Sequence, residues 1–349
     1  MRMANLPTRL ARHIRGVLRI GAKAAYASRL ASQIEQYRAV ENIHELPAIF
    51  HYWSNRHLRP RMNRIFESDS IPEFYARPFL AASAACAKRP RFLSLGAGDC
   101  STEIEVARKL IEMGLEDFEM VCLEVSPHLI KRAEAALEAA GLSGRVSVKQ
   151  TDVNSWQPDE DYSGTMANHS LHHLVELESV FEGVRKSLRP GGVFVTNDMI
   201  GRNGHMRWPE VLEVVELLWE FLPRRLKFNH QAKRWDDKFV NLDCSADGFE
   251  GVRAQDILPL LVRVFEFQKF MAFGGVIDIF CDRGYGHNFD PSCQADVALI
   301  DLVHRLNEAL IDNGEIKPTM MLAVLGNERT GAPAYWRHWS PGYCIRPVE

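Results

Sequence analysis

The stretch Arg91-Phe92-Leu93-Ser94-Leu95-Gly96-Ala97-Gly98-Asp99-Cys100-Ser101-Thr102-Glu103 constrains this chain more than any other. Phe92 to Leu95 is a short apolar run, which predicts a buried strand. Two glycines follow at a one-residue gap. Ser101 then opens a helical pattern with Ile104, Ala107, Leu110 and Ile111 on one face. Strand, glycine turn and helix start make a ligand cradle, because glycine lets the backbone turn sharply and lets a ligand come close to its amides. The unpaired N–H groups and partial positive charge of a helix start suit a carboxylate or a phosphate. Two common cradles do not fit. A dinucleotide fingerprint needs a third glycine where Ser101 stands. A Walker A loop needs Gly-Lys-Ser/Thr, and the stretch has none.

The pattern continues downstream. Val121-Cys122-Leu123-Glu124 reads as a second strand ending in a carboxylate, and Ser126-Pro127 starts a helix through Leu129, Ala133, Ala136 and Leu137 that stops at Gly141. A carboxylate at that strand end is placed to accept both hydroxyls of a ribose. Val146 to Gln150 alternates like a strand and leads into Thr151-Asp152-Val153. Tyr162 to Ala167 is a fourth strand, followed by the turn Asn168-His169-Ser170-Leu171-His172-His173-Leu174. Leu177 to Leu188 is an amphipathic helix, Arg189-Pro190-Gly191-Gly192 a turn, and Val193 to Asp198 a fifth strand.

Over residues 91–200 the chain resembles the class I S-adenosylmethionine-dependent methyltransferases. That family writes its loop as acidic-x-Gly-x-Gly-x-Gly. Gly96 and Gly98 match, Ser94 stands where the acid is expected, and Cys100 stands at the third glycine. Leu-Arg-Pro-Gly-Gly before an apolar strand is typical of the family. The resemblance implies an α/β, doubly wound Rossmann-like sheet of seven strands, the last antiparallel. It implies S-adenosylmethionine as cofactor, held by Gly96, Ala97 and Gly98, with Glu124 on the ribose, Asp152 and the adjoining Val153 on the adenine, and Asn168 in the turn beside it.

The implied chemistry is in-line transfer of a methyl group from a sulfonium to a nucleophile, in which alignment supplies much of the rate. A base helps when the nucleophile carries a proton. His172, His173 and Asp198 are the candidates, on turns that follow strands four and five. Adjacent residues point different ways from a regular element, so one histidine is expected to face the cleft, His173 before His172, and the other to pack inward. No second carboxylate lies beside these histidines and Asp198, and magnesium prefers oxygen ligands, so no metal is expected. The acceptor is read as a small molecule methylated on oxygen or nitrogen. Asn/Asp-Pro-Pro-Tyr is missing after strand four, and with a net charge of −3 no nucleic-acid partner is expected. Two other classes stay open: a nicotinamide-dependent oxidoreductase, and a non-catalytic binding protein on a decayed methyltransferase fold.

The flanks elaborate this core. The 349 residues are 46% apolar and 25% charged, ordinary for a globular protein. The seven cysteines form no Cys-x-x-Cys pair or zinc spacing, which favours a reducing compartment, and the cytoplasm is expected. Residues 1–30 carry Arg2, Arg9, Arg12, Arg15, Arg19, Lys23 and Arg29 and no acid. This basic tail suits an anionic membrane surface, a transit peptide or a solvated, unfolded segment, and all three stay open. Residues 31–90 read as an N-terminal helical extension whose Tyr52 and Trp53 are candidates to wall a substrate site. Residues 91–326 are the methyltransferase domain, with an insertion at 200–250 that includes the Gly201–Trp208 loop. Residues 327–349 are a tail.

Overall fold

The computed structural model describes residues 26–35, 45–84, 88–158, 160–246 and 248–347. Most of the basic tail therefore lies outside the described residues, and with it the proposed membrane contact. Among the described residues no helix is long and apolar enough to cross a membrane.

The centre is a sheet whose principal strands are β1 (Arg91–Leu95), β2 (Glu119–Glu124), β3 (Val146–Gln150), β4 (Tyr162–Asn168), β5 (Leu188–Met199), β6 (Glu266–Phe273) and β7 (Met320–Gly326). They lie in the order β6-β7-β5-β4-β1-β2-β3, and the two-residue strand Ala334–Tyr335 adds an eighth at the β6 edge. β7 runs antiparallel between β5 and β6; the other pairings are parallel. The seven-strand expectation with an antiparallel last strand is met. β1 is buried beyond its first residue, as its apolar run requires, whereas β3 at the edge is exposed over most of its length. Strand order reverses between β1 and β4, and open α/β sheets bind ligands at such a switch point, beyond the carboxyl ends of the strands.

The helix Ser101–Glu112 buries Ile104, Ala107 and Leu110, and Pro127–Ala139 buries Leu129, Ala133 and Leu137. Pro127 supplies the first helical position and the Ser126 side chain caps the start. One local expectation changes. Residues 189–192, read as a turn, belong to β5, whose register with β4 shifts between Tyr162 and Gly164. The apolar strand simply begins before its proline and glycines.

The extension folds as the helix Ala48–Trp53, a π turn Ser54–Leu58, and the helices Arg59–Phe66 and Ile71–Ala84. Arg61 donates from Nη1 to Oε1 of Glu308 in the long helix Gln294–Asp312 at 3.0 Å, its Nη2 lies 2.9 Å from Glu308 Oε2, and both side chains are buried. Residues 26–35 form one further helix, which runs across residue 30, where the sequence ended the basic tail.

Candidate active site

The loop after β1 is stitched to β2. Gly96 and Ala97 donate their amides to the Leu123 carbonyl at 2.9 and 3.0 Å, and Gly98 donates to Glu124 Oε2 at 2.9 Å. Gly96 is required twice over: its φ is +68°, and a side chain there would sit 2.8 Å from the Ser170 Cβ. Gly98, at φ +59°, faces open space. Glu124 Oε1 also accepts from the Val125 and Ser126 amides, at 2.9 and 2.8 Å. Burial raises the Glu124 pKa and these amides oppose the rise. Asp152 accepts from the Tyr26 hydroxyl at 2.8 Å and, through Oδ1, from the Asn154 amide at 3.0 Å. Val153 follows it in a short 3₁₀ turn and is buried.

Glu103 was not singled out in the sequence, although a carboxylate one turn before Ala107 on an apolar face is a visible signal. It is buried and accepts from the Ser94 hydroxyl at 2.6 Å. Its second oxygen, Oε2, is buried with no hydrogen-bond partner. Burial pushes its pKa up to about 7, against the Ser94 hydrogen bond.

The turn after β4 meets the end of β5. Asp198 is fully buried and takes four donors: the Ser170 and Leu171 amides at 3.0 and 2.7 Å, the Met199 amide at 2.8 Å, and His172 Nδ1 at 2.6 Å. The other nitrogen of His172, Nε2, lies 3.4 Å from Glu250 Oε1. Burial alone would lower the His172 pKa, but the two carboxylates outweigh it and hold it up at about 10. His173 is partly exposed. Its Nδ1 meets the Gln33 amide nitrogen at 3.0 Å and its Nε2 lies 3.6 Å from Glu250 Oε2. Burial first, and the charge on His172 second, lower its pKa to about 3. His205 Nε2 meets Glu250 Oε1 at 2.8 Å. Asn168 accepts from the Tyr75 hydroxyl at 3.1 Å and from Asn197 at 3.1 Å.

One cavity of about 930 Å³ joins these parts. Its wall includes Gly96, Ala97 and Gly98, Glu103, Glu124, Asp152, Val153 and Asn168, together with His172, His173 and Glu250. Asp198 lies behind His172 and does not line it. Trp53 lines the cavity, whereas Tyr52 turns away and donates to Asp301.

Residues 93–194, from β1 into β5, match the family model described as a methyltransferase domain. They form a methyltransferase domain. A search of curated proteins gives no match. Among solved structures the chain is similar to the StiE O-MT, at 10% identity over 89% of this chain and 100% of that one, TM-score 0.45. It is also similar to an O-methyltransferase from a trans-AT PKS multienzyme of Brevibacillus brevis in complex with S-adenosyl-L-homocysteine, at 12% identity over 82% and 85%, TM-score 0.41. A third is geranyl diphosphate C-methyltransferase from Streptomyces coelicolor, at 8% identity over 71% and 77%, TM-score 0.38.

The methyltransferase match favours methyl transfer over the nicotinamide and non-catalytic alternatives. The loops after β1 and β2 and the histidine turn after β4 all line the same cavity. Glu250, His205, Gln33 and Tyr26 escaped the sequence reading as site residues. No local pattern marks Glu250: Arg253, which binds Glu178 and the Val175 carbonyl, clamps its loop over the helix Leu177–Ser187.

Proposed function

We propose that the protein transfers the methyl group of S-adenosylmethionine to an oxygen, or failing that a nitrogen, of a largely apolar small molecule. The observation that carries this reading is a continuous cavity that joins the loop after β1 to an edge of histidines and one carboxylate. Phe50, Met62, Met271, Phe273, Met320 and Leu322 give it an apolar lobe under the N-terminal helices. Its volume fits a cofactor and a compact acceptor together.

In this reading Glu124 takes a ribose hydroxyl through the remaining lone pair of Oε2, and Asp152, with Tyr26 alongside, takes the adenine amino group. Val153 and Asn168 border the cofactor. Glu103 replaces the acid missing at Ser94: its unpartnered oxygen is the acceptor for the cofactor's ammonium group. The acceptor's polar atom meets the His172–His173–Glu250 edge. S-adenosylmethionine held there would supply its sulfonium methyl group to the acceptor's polar atom and leave as a neutral thioether, and the acceptor's proton would pass to that edge. Asp198 acts as a positioning residue, fixing the ring of His172 from behind. Incubation with labelled cofactor and a metabolite extract tests the reading. A labelled small molecule is expected; no cofactor binding by calorimetry and no labelled product would overturn it.

A further inference from the structure

We propose that His172, His173 and Glu250 bind a divalent first-row transition-metal ion. The inference rests on the reading that the acceptor's polar atom meets this edge. The case against a metal was the lack of a second carboxylate beside the histidines. The fold supplies one, because Glu250 comes in from beyond β5.

The three donors converge. His172 Nε2 lies 3.4 Å from Glu250 Oε1, and His173 Nε2 lies 3.6 Å from Glu250 Oε2. All three donor atoms fall within 4.8 Å of one another. Ligands about 2.1 Å from a common ion stand roughly 3–3.5 Å apart, so only a small closure is needed. Two imidazoles and one carboxylate, with the remaining positions open to a cavity, form a donor set suited to manganese, iron, cobalt or zinc rather than to magnesium or calcium.

Each donor is also held from behind, as metal ligands generally are. His172 Nδ1 is bound to Asp198 at 2.6 Å, which turns Nε2 toward Glu250. His173 Nδ1 meets the Gln33 amide at 3.0 Å; with the amide oxygen turned to the ring, it would accept the Nδ1 proton. His205 Nε2 meets Glu250 Oε1 at 2.8 Å. The backbone is strained to allow this last contact. His205 sits at φ +56°, and at Gly251 (φ +68°) a side chain would come within 2.9 Å of the His205 ring. An ion here would bind the acceptor oxygen and make its proton easier to lose, which is the help a weakly basic edge needs.

The full-length protein, stripped with a chelator, is titrated with Co²⁺ and followed by visible absorption and calorimetry. One saturable equivalent is expected, and Glu250→Gln and His173→Gln should each weaken it by tenfold or more. His287→Gln, which alters the separate surface pair His230–His287, should leave it unchanged. S-adenosylmethionine binding is measured on every sample. A variant that keeps it is folded, and its loss in the unaltered protein would count against the methyltransferase reading rather than against the metal. Absence of saturable uptake, or uptake unchanged in both Glu250→Gln and His173→Gln, overturns the proposal.

Discussion

Cys100 stands where the family places its third glycine, and its backbone shows why glycine is favoured there. It takes φ +59°, a conformation that costs a side-chain-bearing residue energy, and its side chain is buried in the core. Ser94, where the family places its acid, instead donates to the buried carboxylate of Glu103 in the first turn of the helix that follows. Glu124 keeps both its expected place and a structural task, because it ties the Gly98 amide to β2. Glu124→Ala should therefore weaken S-adenosylmethionine binding by roughly 10- to 100-fold, the loss of a charged acceptor. Calorimetry giving equal affinities for the variant and the unaltered protein would remove Glu124 from the cofactor site.

Elements that repeat a strong local period were legible in the sequence. β1, β2, β4 and the helices from Ser101 and Pro127 follow from apolar spacing and start signals, and their order led to the sheet. The cover over the cavity was not legible, because it depends on contacts between segments far apart in the chain. Tyr26 meets Asp152 across 126 residues, and Gln33 meets His173 across 140. Arg29 reaches the carbonyls of Gly248 at 2.7 Å and of Ser245. The helix over residues 26–35 thus rests on the two groups proposed to hold adenine and acceptor. Tyr26→Phe should speed cofactor release in stopped-flow displacement by about tenfold, the scale of one hydrogen bond to a charged group; an unchanged rate would place this helix outside the binding step. The extension also depends on Arg61 and Glu308. Glu308→Gln leaves the buried guanidinium without its carboxylate, and denaturant unfolding should show a loss of about 3–5 kcal/mol. A loss below about 1 kcal/mol would mean that the pair contributes little to docking these helices.

At the scale of the whole molecule, buried titrating groups set opposing slopes of stability against pH. Burial lowers the His304 pKa to about 3, and the neighbouring His57 and Arg61 reinforce it. An imidazole held neutral in the fold contributes fully above its ordinary value of 6.5, and the contribution is lost as pH falls from there toward 3. Glu103 works the other way. Its folded pKa of about 7 exceeds the ordinary 4.5, so its contribution is full below 4.5, is lost as pH rises to about 7, and stays lost above that. His172, held up at about 10, adds a further loss between 6.5 and 10. Glu103→Gln isolates one of these slopes, because glutamine keeps the shape and cannot ionise. The variant's melting temperature should match that of the unaltered protein near pH 4.5, pull ahead by a few degrees by pH 7, and keep a constant lead above. Saturating S-adenosylmethionine should narrow that lead at pH 8, because the cofactor's ammonium would pair with the ionised Glu103. A lead that does not change between pH 4.5 and 7 would refute the raised carboxyl. A lead that cofactor leaves untouched, with binding confirmed in both proteins, would refute its pairing with the ammonium while leaving the burial argument in place.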